Sequence, residues 1–505
     1  MVYVALRSVS FQELIPFMRI GVLAVPLALT LTVAATATQA QQPGAEVRVP
    51  SETGGRPSAG ALRIIAPDRH LAQAFRRAGS DLETRLVCGT GRTGGLVGDG
   101  ERGTWASTED AVAGALGLGV AGRLTPMRVV LADLAVRQGA EARDDTTVPW
   151  LLALTEYWRL SGDHAFVAAH WRSVARAVKW AGRSGASADA VDAEAWIGAL
   201  EGVREMARAE GDVALGRQSS SLLRRLRSGA PMGTGPDSPL RKASPLEDGP
   251  TLALAHYRDH RAWAGEALLR EVVAGGGPFG VSESAHFLEA MVRGVLGLEV
   301  DAPHRAVQIA PHLPATWDSV AVENIRVGQA VLDVRVQRTD GIFSLHLRRV
   351  DDGAEPVMTR ISPALPLGAR VERVRVDDYD VPLHAETSAH DVHPIVEWWL
   401  RGEAHVEIEY RGGVEVVPPG TGARVLEFRR GGSEYVLLLE GRAGTDHVVE
   451  LRAVERIERV RGAWLEARQG DRLRLHVRFP ESIPGAVRRE VRFTTGRRTF
   501  AGALD

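Results

Sequence analysis

Apolar residues recur at helical intervals over the first part of the chain and alternate with polar ones over the later part. Leu71, Phe75, Leu82 and Leu86 open the helical pattern, followed by Ala111, Ala115 and Leu118, then Val130, Leu131 and Leu134. The next two runs form the clearest pair. Trp150, Leu151, Leu154, Tyr157 and Trp158 share one helix, and Phe166, Trp171, Val174 and Val178 the next. Ser161-Gly162-Asp163 is the predicted turn, with Gly as the stop and Asp as the cap. A further helix carries Trp196, Leu200, Val203 and Met206 and ends at Glu210-Gly211-Asp212. After a Gly-, Pro- and Ser-rich stretch at 228–250, more helices are predicted over 252–274 and 284–298. The pattern amounts to about ten helices joined by short turns, which sets neighbours antiparallel.

At Asp301 the period changes. Val307-Gln308-Ile309, residues 331–336, 343–347 and 406–410 alternate as half-buried strands do. Val417-Pro418-Pro419-Gly420 has a linker's composition, and the runs at 435–439, 448–451 and 473–477 predict a second, smaller β unit. The expected layout is an (α/α) hairpin domain over 61–300, a β-sandwich over 301–416 and a small β domain over 417–505.

The amino terminus changes the picture. Met18-Arg19, an apolar run at 20–33 and the small-residue stretch 34–40 have the form of a secretory signal, with Met1 or Met18 as the start and cleavage near Ala40. The run is shorter than the roughly 20 residues that span a bilayer. The expectation is therefore export, to the periplasm or beyond the cell, with no membrane span left after cleavage and a flexible lead-in over 41–60. A formal net charge of -2, with acidic and basic residues mixed throughout, gives no electrostatic reason for a nucleic-acid partner. The single cysteine, Cys88, cannot form an internal disulfide and reads as buried packing.

Three stretches carry a resemblance. The first holds Gln73-Ala74-Phe75-Arg76-Arg77, Asp81-Leu82, Gly94-Gly95-Leu96, Glu109-Asp110 and Ala115-Leu116, and closes at Gln138. The second is Asp145-Thr146-Thr147-Val148-Pro149 with Glu156-Tyr157 and Ser161-Gly162-Asp163. The third includes Gly294, Leu296-Gly297-Leu298, Asp301-Ala302-Pro303 and Ala310-Pro311-His312-Leu313-Pro314. In this order they resemble the six-hairpin (α/α) glycosidases, especially the bacterial glycogen-debranching or amylo-α-1,6-glucosidase type. Two departures stand out: Thr108-Glu109-Asp110 where the family has Gly-Arg-Asp, and residues 245–250 in place of its Trp-Pro-His segment. The helix count also falls short of a complete toroid.

The resemblance implies a secreted glycoside hydrolase acting on an α-linked oligosaccharide or polysaccharide. The alternative is a catalytically reduced relative that binds glycan or serves a structural role. Such hydrolysis needs two carboxyl groups flanking the bond, standing about 6.5–9.5 Å apart in an inverting enzyme. Glu283 is the expected base and Asp110 or Glu101 the acid. Asp145 is the candidate for binding sugar hydroxyls and Trp105 the aromatic face for a sugar ring. Set against these, an Asp at a helix start is often a cap, and a Glu there complements the helix dipole. No cofactor is implied. His256 and His260, four apart in a helical run, have a two-histidine metal spacing, but without the zincin Glu they read as surface histidines.

Overall fold

The computed structural model describes residues 60–87, 94–98, 105–140, 144–184, 190–228, 249–276, 280–339, 341–420, 422–481 and 485–496. The signal-type leader, most of the lead-in, Cys88 and Glu101 lie outside them. Ten α-helices are found among the described residues: α1 (Arg69–Thr84), α2 (Thr108–Val120), α3 (Leu124–Ala140), α4 (Asp144–Ser161), α5 (His164–Ser184), α6 (Ala190–Ala209), α7 (Val213–Arg227), α8 (Gly249–Arg258), α9 (Ala262–Ala274) and α10 (Val281–Glu289). A π-helical segment, Ala290–Val295, continues α10. None of the described helices is long and apolar enough to cross a membrane.

The turns explain the hairpins. Gly162 adopts a left-handed φ of 66°, and Asp163 then caps α5 by accepting from the Phe166 amide at 3.0 Å. The same arrangement recurs at Gly211, with a φ of 73°, and at Asp212, which caps α7 through the Leu215 amide. Packing runs from α6 to α4, on to α2, then α10 and α8. The odd-numbered helices lie alongside their partners, and α2 and α10 share the largest helix contact.

That contact is close because α2 is small on one side. A Cβ on Gly117 would lie 2.6 Å from the Ala285 Cα, and one on Gly114 would lie 3.0 Å from Val281 Cγ1. The two helices therefore run side by side with their amino termini together. Gly117→Val is expected to force them apart and lower stability by about 1–3 kcal/mol, the range for overpacking. Urea unfolding of the purified full chain measures it; an unchanged midpoint would mean that the pair can spread without loss.

Beyond the helices the described residues form antiparallel β-structure, with one parallel pairing among them. The larger sheet has seven strands in the order Arg63–Ile65, Ser319–Val327, Ala330–Thr339, Ile342–Arg349, Glu403–Arg411, Arg370–Val376, Tyr379–Asp380. Its first strand comes from the segment before α1, too short at three residues to leave a pattern in the sequence. A four-stranded sheet runs Val396–Leu400, Val357–Ile361, Ala306–Ile309, Leu298–Asp301, the middle two parallel. Two further four-stranded sheets lie within residues 414–496.

One hydrophobic core passes from the helices into the first two sheets, holding Trp158, Phe287, Trp317 and Phe343. A second contains Phe428, Tyr435, Phe479 and Phe493, and Trp263 of α9 joins it. The tryptophans divide by packing. Trp150 and Trp158 are buried, Trp171 and Trp180 partly so, and of the Trp398-Trp399 pair the second faces solvent.

Candidate functional site

The paired amino termini of α2 and α10 bring together residues distant in sequence. Ser282 Oγ donates to Asp110 Oδ1 at 2.5 Å, so Asp110 stands beside the first turn of α10, where Glu283 is found. Asp110 also completes a reciprocal cap. Its backbone amide donates to Ser107 Oγ at 3.0 Å, and the Ser107 hydroxyl donates to Asp110 Oδ2 at 2.9 Å. Both carboxylate oxygens thus accept from serine hydroxyls. Glu283 is exposed and makes no hydrogen bond or ion pair with other described residues. Its position in the first turn suits the helix dipole as well as chemistry.

Asp145 falls in the first turn of α4, which also packs on α2; its side chain lies outside the described residues. Trp105 is half-buried on the segment leading into α2 and pairs with Val97 across an isolated bridge. Its ring lies against Gly95, where a Cβ would be 2.9 Å away, and under the Arg137 guanidinium, 5.7 Å from the ring centroid. Arg137 in turn pairs with buried Asp133 at 2.6 Å. A separate cavity of about 180 Å³ opens at the other end of the same helices, lined by Val120, Glu156, Arg159 and Arg293. Arg293 is ion-paired to Glu156, and Arg159 to Glu205, so these charges are already matched.

The histidine reading needs correction. His256 and His260 do not share a helix face, because α8 ends at Arg258 and His260 takes a left-handed φ of 60° in the turn to α9. That turn swings His260 away from His256 and onto Asp391 and His393, 3.0 and 3.1 Å from its Nδ1. His312 completes the group from the connector after the strand Ala306–Ile309. Sequence reasoning quoted His312 only as part of a Pro-rich motif and passed over Asp391 and His393. The one local signal was Asp391-Val392-His393, a spacing too common to stand alone.

No family profile and no curated protein matches this chain. The solved structures it resembles include glycoside hydrolases, a putative kojibiose phosphorylase and a chondroitin AC lyase from Streptomyces coelicolor A3. A GH78 family rhamnosidase from Bacillus sp. GL1 is 14% identical with a TM-score of 0.42, over 58% of this chain and 42% of that one. The chain thus spans less than half the length of that rhamnosidase. A GH127 β-L-arabinofuranosidase from Geobacillus stearothermophilus T6 is 9% identical with a TM-score of 0.27, over 75% and 78% of the two chains. A further glycoside hydrolase is 9% identical with a TM-score of 0.33, over 76% and 80%.

Proposed function

We propose that this chain is an exported glycoside hydrolase of the hairpin-toroid kind, shortened in its helical part, acting on an α-linked glycan. The supporting observation is the Ser282–Asp110 hydrogen bond across 172 positions, which sets a carboxylate of α2 beside the first turn of α10. Glu283 is the base. Its carboxylate is exposed and, in this role, takes a proton from the water that attacks the anomeric carbon. The acid is Asp110, or Glu101 on the segment before it. Asp145 holds sugar hydroxyls, and Trp105 offers the edge of an apolar wall to a sugar ring.

The test is release of reducing sugar from a panel of α-linked oligosaccharides and polysaccharides. The native chain is expected to act on at least one of them, and Glu283→Gln to fall to the blank rate while keeping its fold. Equal inertness of both sinks the hydrolytic reading.

One observation favours the second reading, a glycan-binding relative without catalysis. Asp110 accepts from two serine hydroxyls, one of them the capping Ser107 of its own helix, and such a structural role needs no substrate. Retardation of the inert chain in gels containing the same polysaccharides supports that reading; unretarded migration removes it.

A further inference from the structure

The group formed by His260, His312, Asp391 and His393 lies where three parts of the fold meet: the α8–α9 turn, the connector after Ala306–Ile309, and the strand Val392–Pro394 with the residue before it. Each residue offers one ligand atom, and the four atoms lie within 4.8 Å of one another. His260 Nδ1 is 3.1 Å from both His393 Nε2 and Asp391 Oδ2, and His393 Nε2 is 3.1 Å from the same carboxylate oxygen. His312 Nε2 is 3.7 Å from it. A tetrahedral ion with arms of about 2.0–2.1 Å has ligand–ligand edges of about 3.3 Å, inside the observed spread.

The surroundings prepare these atoms as donors. The Ser362 carbonyl, 2.9 Å from His393 Nδ1, accepts a hydrogen bond from the Nδ1–H tautomer, which leaves the Nε2 lone pair directed at the group. The Ser388 hydroxyl donates to Asp391 Oδ1, which also lies 3.0 Å from His260 Nδ1, and Oδ2 is the oxygen that comes near all three rings. His312 is the telling member. It is only 12% exposed, and the one polar backbone group that bears on its ring is the Gly294 carbonyl, which as an acceptor can serve only an N–H and leaves the other nitrogen's lone pair unmet among the described residues. A buried imidazole whose lone pair finds no donor is costly unless something else takes it. His260 meanwhile sits in a left-handed conformation that non-glycine residues rarely adopt, and that strain aims its ring inward. Beside the group is a cavity of about 50 Å³ bordered by His260, His312 and Asp391.

A carboxylate flanked by two imidazoles could be satisfied by hydrogen bonds alone. A third, unsatisfied imidazole closing a tetrahedron around it could not. We propose that His260, His312, Asp391 and His393 bind one divalent transition-metal ion, Zn²⁺ by preference. Three imidazoles and one carboxylate are borderline donors suited to that ion. Four protein ligands fill its tetrahedral shell, so the role is structural: the ion ties the helical layer to both faces of the β junction. This group shares no residue with the Asp110–Ser282 site and does not depend on glycan chemistry.

The full chain, stripped with chelator and dialysed, is titrated with Zn²⁺ and separately with Co²⁺. Expected are one equivalent of either per chain, visible d–d absorption of tetrahedral Co²⁺, and a thermal midpoint that rises with Zn²⁺ and falls with chelator. His312→Gln and Asp391→Asn are expected to lose the stoichiometric uptake, while His256→Gln, outside the group, keeps it. Because a ligand variant can misfold, circular dichroism accompanies each, and the native chain carries the decision. Failure of the native chain to take up either ion overturns the proposal, as does equal uptake by a folded His312→Gln. Loss of uptake in His256→Gln would point to another pair of donors and overturn the assignment as well.

Discussion

Arg338→Ala is expected to lower the stability of the chain by about 3–5 kcal/mol, the usual loss when one partner of a buried charge pair is removed. Arg338 is 4% exposed, on the strand Ala330–Thr339, and all its donors are engaged at one place. Nε donates to the Trp317 carbonyl at 3.0 Å, Nη2 to the Pro314 and Trp317 carbonyls at 2.6 and 2.8 Å, and Nη1 to Glu415 at 2.8 Å. One guanidinium thereby ties the strand Ala330–Thr339 to the connector between Ala306–Ile309 and Ser319–Val327 and to the first strand of the second β unit, Val414–Val416. Alanine would strip the largely buried Glu415 of its partner, while the Pro314 carbonyl keeps the Trp317 amide at 2.9 Å and the Trp317 carbonyl keeps only a long contact from Arg452 at 3.5 Å. Urea unfolding measures the loss. The companion is Glu415→Gln: the double variant should lose less than the sum of the singles, since the second change removes the stranded charge. Additive losses would show that Glu415 is already balanced from elsewhere, Arg452 being the nearest alternative.

The same junction shows where the sequence was readable and where it was not. Hairpin turns could be read locally, because a left-handed Gly followed by a capping Asp is a short-range requirement, met at Gly162-Asp163 and Gly211-Asp212. The strands could be read from alternation, as along Ala330–Thr339, where every second side chain is buried. What could not be read was which strands pair. Arg63–Ile65 joins Ser319–Val327 across more than 250 positions with only three residues of signal. At the paired amino termini of α2 and α10, the Ser107–Asp110 cap is a local feature of the sequence, whereas the role of Asp110 as an acid is what the family resemblance implies. The Ser282 contact from α10 required the fold. The histidine group was the least legible, since its members come from three separate segments and the one apparent pair, His256 and His260, assumed a helix that stops at Arg258.

A second large effect is expected from pH. Glu266 of α9 is 1% exposed, and burial pushes its pKa from 4.5 up to about 7. The nearby Arg270 guanidinium opposes that rise, and the Glu415 charge adds to it. Arg270 comes within 2.8 Å, but the approach is not aligned as a hydrogen bond, so it compensates burial only in part. Because the folded pKa lies above the unfolded one, the unfolded chain gives up this proton first as pH rises. The contribution of Glu266 is therefore most favourable below pH 4.5, falls between 4.5 and 7, and is constant above. Over that window the loss amounts to about 3 kcal/mol. Glu266→Gln keeps the shape and removes the titration. Arg270 retains Thr316 Oγ1 at 3.1 Å and Asp68 at 3.8 Å, so the change does not strand it. The stability of the variant relative to the native chain should rise by about that amount from pH 4.5 to pH 8 in parallel urea titrations. A difference flat in pH would mean that Glu266 is ionised throughout, held by Arg270 more tightly than their misaligned contact suggests.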